Sequence, residues 1–184
     1  HLSLRRQRQM CIRDSSKAVE YLIKLGHRKI AHISGWNYVA NGKDRLYAYK
    51  NTLKRYNIKV RKDYIVEGDF TEISGYNAMK KLLELKERPT AVFAANDLMA
   101  IGAIKAIREK GLSVPEDISI IGFDDIPLAS YAIPPLTTVH QPIFQMGYES
   151  AKILVKLITT QKPKVESQVM ETTLVIRNST RQQN

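Results

Sequence analysis

The chain has 184 residues, of which 43% are hydrophobic and 26% are charged, and these proportions are typical of a globular protein. No apolar stretch approaches the roughly 20 residues of a membrane-spanning helix, which excludes such a span within the sequence. The net charge of +11 suits an anionic partner, but the lysines fall on several separate predicted helices, which favours solvated helix faces. The single cysteine, Cys11, excludes an internal disulfide framework and fits a reducing, cytoplasmic compartment.

The first fourteen residues differ from the rest of the chain. Residues 1–14 contain four arginines and one aspartate, and they show neither helical nor strand periodicity. They also lack the apolar centre of a signal peptide. We expect this segment to be disordered and foreign to the protein, with a basic nucleic-acid-binding arm as the alternative.

From Ser15 onward, helical and strand patterns alternate. Apolar residues at helical spacing predict four helices, at about 16–25, 43–56, 74–85 and 97–110. Short apolar runs predict four strands, at about 29–34, 64–66, 91–95 and 118–123. Strands that alternate with helices of this length indicate βαβ units around a parallel sheet, which is an α/β fold.

The pattern changes after Ile133. Pro134 and Pro135 impose an extended connection, because each proline excludes the α conformation from the residue before it. A short strand at 137–139, a helix from Gln141 to about Thr160 and a last strand at 172–177 are predicted next. We expect the polar residues 180–184 to form a disordered tail.

Polar side chains follow two of the predicted strands directly. Asn96 and Asp97 end one apolar run, and Asp124 and Asp125 end the next. Ligands of open α/β sheets gather outside the carboxyl ends of the strands, so Asn96 and Asp124 are predicted to contact a small molecule. Either Asn96 or Asp97 is also expected to cap the following helix, and Asp125 is expected to be structural.

The sequence indicates binding and no catalysis. It contains no metal-ligand spacing, no glycine-rich phosphate loop and no set of nucleophile and base, so we expect no metal and no cofactor. His27 and His32 are interpreted as a turn residue and a strand residue. His140 has no partner that the sequence reveals.

Four segments together resemble the lactose-repressor/galactose-repressor (LacI–GalR) family, and the likeness runs from Ser16 to about Ser179. These segments are residues 25–31, 95–102, 114–125 and 134–139. The resemblance implies a periplasmic-binding-protein-like fold of type I, in which two Rossmann-like lobes with parallel sheets are joined by three crossovers. It also implies an N-terminal helix-turn-helix that this sequence lacks, so we interpret the chain as a fragment with an incomplete first lobe.

The resemblance divides the chain between the two lobes. Residues 15–34 and 140–163 are expected to be a remnant of the N-terminal lobe, which leaves apolar surface uncovered. Residues 35–139 and 164–179 are expected to form the C-terminal, effector-binding lobe.

The resemblance also implies the effector contacts. Arg45 is expected to hold ligand oxygens with its planar donors, and Phe70 to stack on a flat ring. Asn96 offers both a donor and an acceptor, and Asp124 accepts from hydroxyls. The loop after Gly35 adds two further ligand-binding candidates, Trp36 and Asn41. The alternatives are an exposed position for Arg45 at its helix start and a core position for Phe70.

The resemblance thus implies the effector-binding domain of a cytoplasmic transcriptional repressor. A sugar or a similar small polar metabolite would change lobe closure, and a homodimer would read operator DNA through the missing helix-turn-helix. The predicted dimer interface consists of Ile101, Leu128, Tyr131 and Ile133. The alternative for Ile101 and Ile133 is burial in the core. The alternative function is a sugar-binding protein of an ABC importer, and an enzyme is a distant third.

Overall fold

The computed structural model describes residues 2–159 and 170–183, with side chains from Cys11 onward. The helices are α1 (Leu2–Lys24), α2 (Ala40–Arg55), α3 (Glu72–Leu83), α4 (Asp97–Glu109), α5 (Pro127–Tyr131) and α6 (Ile143–Thr159). The strands are β1 (Ile30–Ser34), β2 (Ile65–Glu67), β3 (Ala91–Ala94), β4 (Ser119–Asp124), β5 (Thr137–His140) and β6 (Thr173–Val175). No helix in this described part is long and apolar enough to cross a membrane.

The six strands form one sheet in the order β2-β1-β3-β4-β5-β6. Neighbours from β2 to β5 run parallel, and β6 pairs with β5 in the antiparallel direction. The predicted α/β fold with a parallel sheet is confirmed. The strand order reverses between β1 and β3, which are adjacent although β2 lies between them in the chain.

Both faces of the sheet are covered by helices. Side chains of α1 and α2 pack with Phe93 and Phe123 on one face, and those of α3, α4 and α5 pack with Val92 and Ile120 on the other. Strands buried on both faces need apolar residues at successive positions, which explains the apolar runs of β3 and β4 and the predominantly apolar residues of β1.

Two glycines let α3 and α4 approach closely. A methyl group on Gly75 would lie 2.2 Å from the Met99 carbonyl oxygen, and one on Gly102 would lie 2.0 Å from the Glu72 carbonyl oxygen. Backbone atoms cannot move aside as a flexible side chain does, so these positions exclude any larger residue. The close contact fixes the start of α4, which carries Asn96 and Asp97.

The predicted division of the chain is wrong at β1. Residues 15–34 were assigned to a separate lobe, but β1 lies inside the sheet, between β2 and β3. Its five residues are all buried. The alternation of strands and helices in the sequence does not determine which sheet a strand joins. That is determined by the pairing of strands in the tertiary structure.

Both termini are better ordered than expected. The first segment continues α1 from Leu2, and Asp14 is buried. Adding turns to a helix that is already packed avoids the cost of nucleation. At the other end, the Gln183 N–H donates to the Leu25 carbonyl oxygen at 2.7 Å, so the predicted disordered tail is wrong for residues 180–183.

Helix α6 differs from the other helices, because it contains no buried residue. Its exposed side chains include Phe144, Leu154 and Ile158. The assignment of residues 140–163 to an N-terminal lobe stays a prediction. Residues 1, 160–169 and 184, on which other parts of the predicted division fall, lie outside the described residues.

Candidate functional site

The carboxyl ends of the parallel strands meet at one edge of the sheet, and we call this the carboxyl edge. β1 ends at Ser34, β3 at Ala94 and β4 at Asp124. The strand order reverses between β1 and β3, and open α/β sheets bind ligands in the crevice that such a reversal creates at this edge. The sequence-predicted ligand residues follow or face these strand ends.

Arg45 lies under this crevice and is almost fully buried. Its Nη1 donates to the Ala95 carbonyl oxygen, and its Nη2 donates to Asp124 Oδ1 at 3.2 Å. The guanidinium lies over the Phe123 ring, 3.9 Å from its centroid. The alternative of an exposed residue at a helix start is therefore wrong. Arg45 Nε is buried and has no hydrogen-bond partner among the described residues.

Asp124 is the acceptor that faces Arg45. Its φ of 111° turns the chain sharply at the end of β4, a conformation that non-glycine residues adopt rarely. Oδ1 also accepts from Gln141 Nε2 at 2.8 Å. Both bonds fall on Oδ1, so Oδ2 has no partner in the described part of the chain. Burial raises the pKa of the Asp124 carboxyl, although Arg45 and Gln141 oppose that shift.

Phe70 forms an aromatic wall beside these polar groups. Its ring lies flush against Gly35, where an added methyl group would come within 2.0 Å of Phe70 Cζ. The ring is partly buried and packs against the α3/α4 side of the core. Trp36 meets it edge-on, with 6.1 Å between the ring centroids and an interplanar angle of 88°. Phe70 therefore lies at the strand ends, as predicted for a ligand contact, and its ring also packs against the core, as the alternative predicted.

Asn96 is the residue that caps α4. Its Oδ1 accepts from the Met99 N–H at 3.0 Å, and its Nδ2 donates to the Phe70 carbonyl oxygen at 2.8 Å. The expected cap is therefore Asn96, as an N-cap asparagine satisfies a free N–H of the first turn. Its amide also holds the strained backbone of Phe70, whose φ is 71°. A direct ligand contact of Asn96 stays a prediction.

Asp97 has a different function, which the sequence did not reveal. Its Oδ1 accepts from Thr138 Oγ1 at 2.5 Å, and its Oδ2 accepts from the Ile126 N–H at 2.9 Å. Burial raises the pKa of this carboxyl to about 6, and the Thr138 and Ile126 donors oppose the rise. Asp97 thus ties the start of α4 to β5 and to the loop that carries Asp124.

Asp125 holds the far side of this loop. It accepts from Arg177 Nη2 at 2.8 Å and lies 3.0 Å from His140 Nδ1. The structural role expected for Asp125 agrees with these contacts. His140 and Arg177 are partners that sequence reasoning missed, because Arg177 is 52 residues distant from Asp125 along the chain.

The loop after β1 places the remaining ligand candidates at the same edge. Trp36 is 40% exposed and Asn41 is exposed in the first turn of α2. Gly42 allows close approach, because an added methyl group would lie 2.2 Å from the Trp36 carbonyl oxygen. Cys11 belongs to the first segment, which was expected to be foreign to the protein, but it lies next to Arg45. Burial raises the pKa of its thiol, and the adjacent Arg45 opposes that shift.

The two histidines near the start of the chain lie away from the crevice contacts. His32 stacks between Tyr49 and Phe93, with centroid distances of 5.0 Å and 4.9 Å. Burial lowers its pKa to about 4, so the ring is neutral at physiological pH. His27 hydrogen-bonds Thr90 at 2.9 Å. These packing and turn contacts match their predicted structural roles.

The candidate interface residues lie on α4, α5 and the following turn. Leu128 and Tyr131 are exposed, and Ile133 is 70% exposed, so the alternative of a core position for Ile133 is wrong. Ile101 is partly buried. Ile101 and Ile133 line a groove of about 500 Å³ that also contains Lys105.

Comparisons with known proteins agree with this geometry. Residues 19–180 match the family described as periplasmic binding protein-like domain. The repressor CytR of Escherichia coli K12, named as an HTH-type transcriptional repressor, is 43% identical over 164 residues, which are 89% of this chain and 48% of CytR.

Two solved structures are similar in fold. The complex of the transcriptional regulator CelR with cellobiose has a TM-score of 0.86 at 39% identity, over 92% of this chain and 52% of that one. The dimeric Lac repressor has a TM-score of 0.87 at 36% identity, over 95% and 63% of the two chains.

The chain spans about half the length of the curated relatives that it matches. The resemblance predicted from its four segments is confirmed by these relatives and structures. The chain therefore belongs to the periplasmic binding protein-like domain family, and its homologues are LacI-type transcriptional repressors.

Proposed function

We propose that this chain is the effector-binding part of a LacI-type, DNA-binding transcriptional repressor, and that the effector is a sugar or a similar small polar metabolite. The observation that carries the proposal is the pairing of Arg45 with Asp124 at 3.2 Å, at the reversal point of the sheet. Phe70 stands beside the pair at the same edge. Together these residues offer donors, an acceptor and an aromatic surface.

This set of groups fits a ring that carries hydroxyls. A hydroxyl both donates and accepts, so it suits a site where guanidinium donors lie next to a carboxylate acceptor. The C–H face of a pyranose is apolar and packs on an aromatic ring such as Phe70. A buried polar site rejects analogues that lack a hydroxyl, because its own groups would lose their partners.

The effector acts by favouring one arrangement of two lobes. A ligand shifts such an equilibrium only if it binds one arrangement more tightly than the other. In the whole protein, closure over Arg45 and Asp124 would change how the DNA-reading heads meet the operator. CytR carries the description HTH-type repressor, which supports operator binding by a domain outside this sequence and a cytoplasmic location.

The same residues argue against the other classes of function. Arg45, Asp124 and Asn96 form a set for binding hydroxyls, and within the described residues they have no nucleophile paired with a base. A sugar-binding protein of an importer shares the fold, but the relatives compared above are transcriptional regulators. We therefore favour a regulator over an importer component or an enzyme.

We further propose a homodimer that uses Ile101, Leu128, Tyr131 and Ile133. Three of these side chains are exposed apolar groups next to the groove on α4, and clustered exposed apolar residues favour an interface. The Lac repressor compared above is described as dimeric. Sedimentation velocity measures the oligomeric state of the protein and of Ile133→Asp. We expect a dimer for the unmodified protein and a monomer for the variant, and equal sedimentation coefficients would contradict the proposed interface.

Removal of the Asp124 carboxylate tests the effector site. We expect Asp124→Ala to abolish sugar binding in isothermal titration against glucose, galactose, ribose, maltose and cellobiose, because Arg45 loses its partner and hydroxyls lose an acceptor. Binding should also change the fluorescence of Trp36, the single tryptophan of the chain.

Glu116→Ala is the matched control, because Glu116 is an exposed acidic residue that precedes the first residue of β4, whereas Asp124 is the last residue of that strand. It should bind the same sugars as the unmodified protein. Sugar binding that survives in Asp124→Ala would remove Asp124 from the site. A sugar that saturates without any change in Trp36 fluorescence would place Trp36 outside the crevice.

A further inference from the structure

Three aromatic rings contact one another in succession at the carboxyl edge, and their exposure rises from Phe70 through Trp36 to Tyr38. Phe70 lies against Gly35 at the strand ends, and Trp36 touches its ring edge-on at 6.1 Å between centroids. Tyr38 stacks on Trp36, with 5.4 Å between centroids and an interplanar angle of 19°. Three rings together have more aromatic surface than the single ring of a monosaccharide can cover.

The Trp36 and Tyr38 rings are exposed but held in place. Trp36 is 40% exposed and Tyr38 is 71% exposed. The Val39 N–H donates to the Trp36 carbonyl oxygen at 3.2 Å, which closes a tight turn around Tyr38. Asn37 donates from its backbone and its side chain to the Glu67 carboxylate at the end of β2. The loop that carries Trp36 and Tyr38 is therefore held by its own turn and by hydrogen bonds to Glu67.

An exposed aromatic pair on an anchored turn needs an explanation, since these rings leave much of their apolar surface in water. Packing in the core does not explain it, because Tyr38 is mostly exposed. Preorganised aromatic surface binds a ligand at low entropic cost, since few torsions are lost on binding. Phe70 is linked to the polar groups of the inner site through adjacent residues, because Asn96 donates to the Phe70 carbonyl oxygen and Arg45 donates to the Ala95 carbonyl oxygen.

We infer that Trp36 and Tyr38 form an outer subsite for the second ring of an oligosaccharide, whose first ring occupies the inner site at Arg45, Asp124 and Phe70. This inference rests on the proposed function, and it narrows the effector class from sugars in general to saccharides of two or more rings. Stacking tolerates different hydroxyl patterns, because it uses the apolar face of a ring. The outer subsite therefore contributes affinity, and the inner site selects the hydroxyl configuration.

The test compares monosaccharides with the disaccharides that contain them. Isothermal titration of the protein with glucose, maltose and cellobiose, and with galactose and lactose, should find a disaccharide at least about tenfold tighter than its monosaccharide, the scale of one stacked ring. Tyr38→Ser should weaken that disaccharide about tenfold and leave the monosaccharide within about twofold. Tyr38 is exposed, so its removal should not impair folding.

Tyr56→Ser is the matched control, because Tyr56 is 40% exposed and follows the other end of α2. It should leave both affinities unchanged. Equal affinity for monosaccharide and disaccharide, or an equal loss of both in Tyr38→Ser, would overturn the outer subsite and leave the proposed sugar function standing. Failure of the unmodified protein to bind glucose, maltose, cellobiose, galactose or lactose would overturn the outer subsite and count against a sugar as the effector in the proposed function.

Discussion

The two edges of the sheet hold similar charged residues in opposite environments. At the carboxyl edge, Arg45 is buried and its partner Asp124 is mostly buried. At the amino edge, Arg61 pairs with Asp63 at 2.6 Å, and Lys29 pairs with Glu87 at 2.8 Å, where all four side chains reach solvent. These amino-edge residues line an open groove of about 870 Å³.

The pKa values of carboxylates at the two edges are shifted in opposite directions, although the cationic neighbours lower the pKa at both. Burial raises the pKa of Asp124 despite the adjacent Arg45. Hydrogen bonds from Lys29 and Arg61 lower the pKa of Glu87. Desolvation outweighs the ion pair only where water is excluded. The carboxyl edge therefore keeps charged groups ready for a ligand, while the amino edge carries ordinary solvated ion pairs.

Arg45→Met should break this comparison most strongly. Methionine keeps apolar contact with Phe123, but it leaves Asp124 without its cationic partner and the Ala95 carbonyl oxygen without its donor. Loss of one partner from a buried ion pair costs about 3–5 kcal/mol, and the partial exposure of Asp124 places the expected value near the lower end. Urea denaturation followed by circular dichroism measures the loss.

Arg61→Met provides the control at the amino edge. Its ion pairs are exposed, so we expect a much smaller loss that fades at high salt. Equal destabilisation by Arg45→Met and Arg61→Met would contradict the contrast between the two edges.

Asp97→Asn should change how stability depends on pH. The native pKa of about 6 lies above the ordinary 3.8, so the native state binds more protons between these values. The free energy of unfolding therefore falls as pH rises from about 4 to about 6, by roughly 2–3 kcal/mol. The amide of the substituted asparagine cannot titrate, so the variant should gain stability relative to the unmodified protein over this window.

Denaturation at pH 4, 5, 6 and 7 measures that difference, and parallel profiles would contradict the assignment. His32 acts in the opposite direction in both proteins, because its lowered pKa makes stability rise from about pH 4 to 6.5. It cancels when the two profiles are subtracted. Glu87→Gln at the amino edge should give a difference of opposite sign, since the Glu87 pKa is lowered.

Two glycine substitutions compare the two edges by their effect on sugar binding. Gly35→Ala pushes a methyl group into the Phe70 ring, so we expect a loss of about 1–3 kcal/mol and weaker sugar binding. Gly111→Ala meets no atom within 4 Å, but its φ of 76° strains an alanine, at a cost of about 1 kcal/mol.

Thermal denaturation and isothermal titration with the sugar panel measure both effects. Sugar affinity should be unchanged in Gly111→Ala, because Gly111 follows α4 at the end opposite the crevice. Unchanged affinity in Gly35→Ala would show that the position of the Phe70 ring does not matter for binding.

Local elements and their order were predictable from the sequence. The apolar runs of β3 and β4 predicted buried strands, and the polar residues after them predicted which side chains would stand at the carboxyl edge. The N-cap of α4 was also foreseeable, because a cap needs only a short polar side chain and the N–H three residues later. The short helix α5 was not predicted, since five residues carry little periodic signal.

Long-range contacts were not predictable in the same way. Thr138 meets Asp97 across 41 residues, and Arg177 meets Asp125 across 52. The place of β1 between β2 and β3 was missed for the same reason, and so was the approach of α1 to Arg45. Such pairs depend on the relative position of whole strands and helices, which hydrophobic periodicity does not encode.

The sequence by itself determined the α/β class, the alternation of elements and the residue types at the strand ends, because periodicity and capping act over a few neighbouring residues. Only the tertiary structure decided that Arg45 is buried against Asp124 and that Trp36 and Tyr38 extend the wall of Phe70. It also decided that Asp97 holds the loop in place. These arrangements arise when distant segments pack into one sheet and share the same low-dielectric space, and no local pattern specifies that packing.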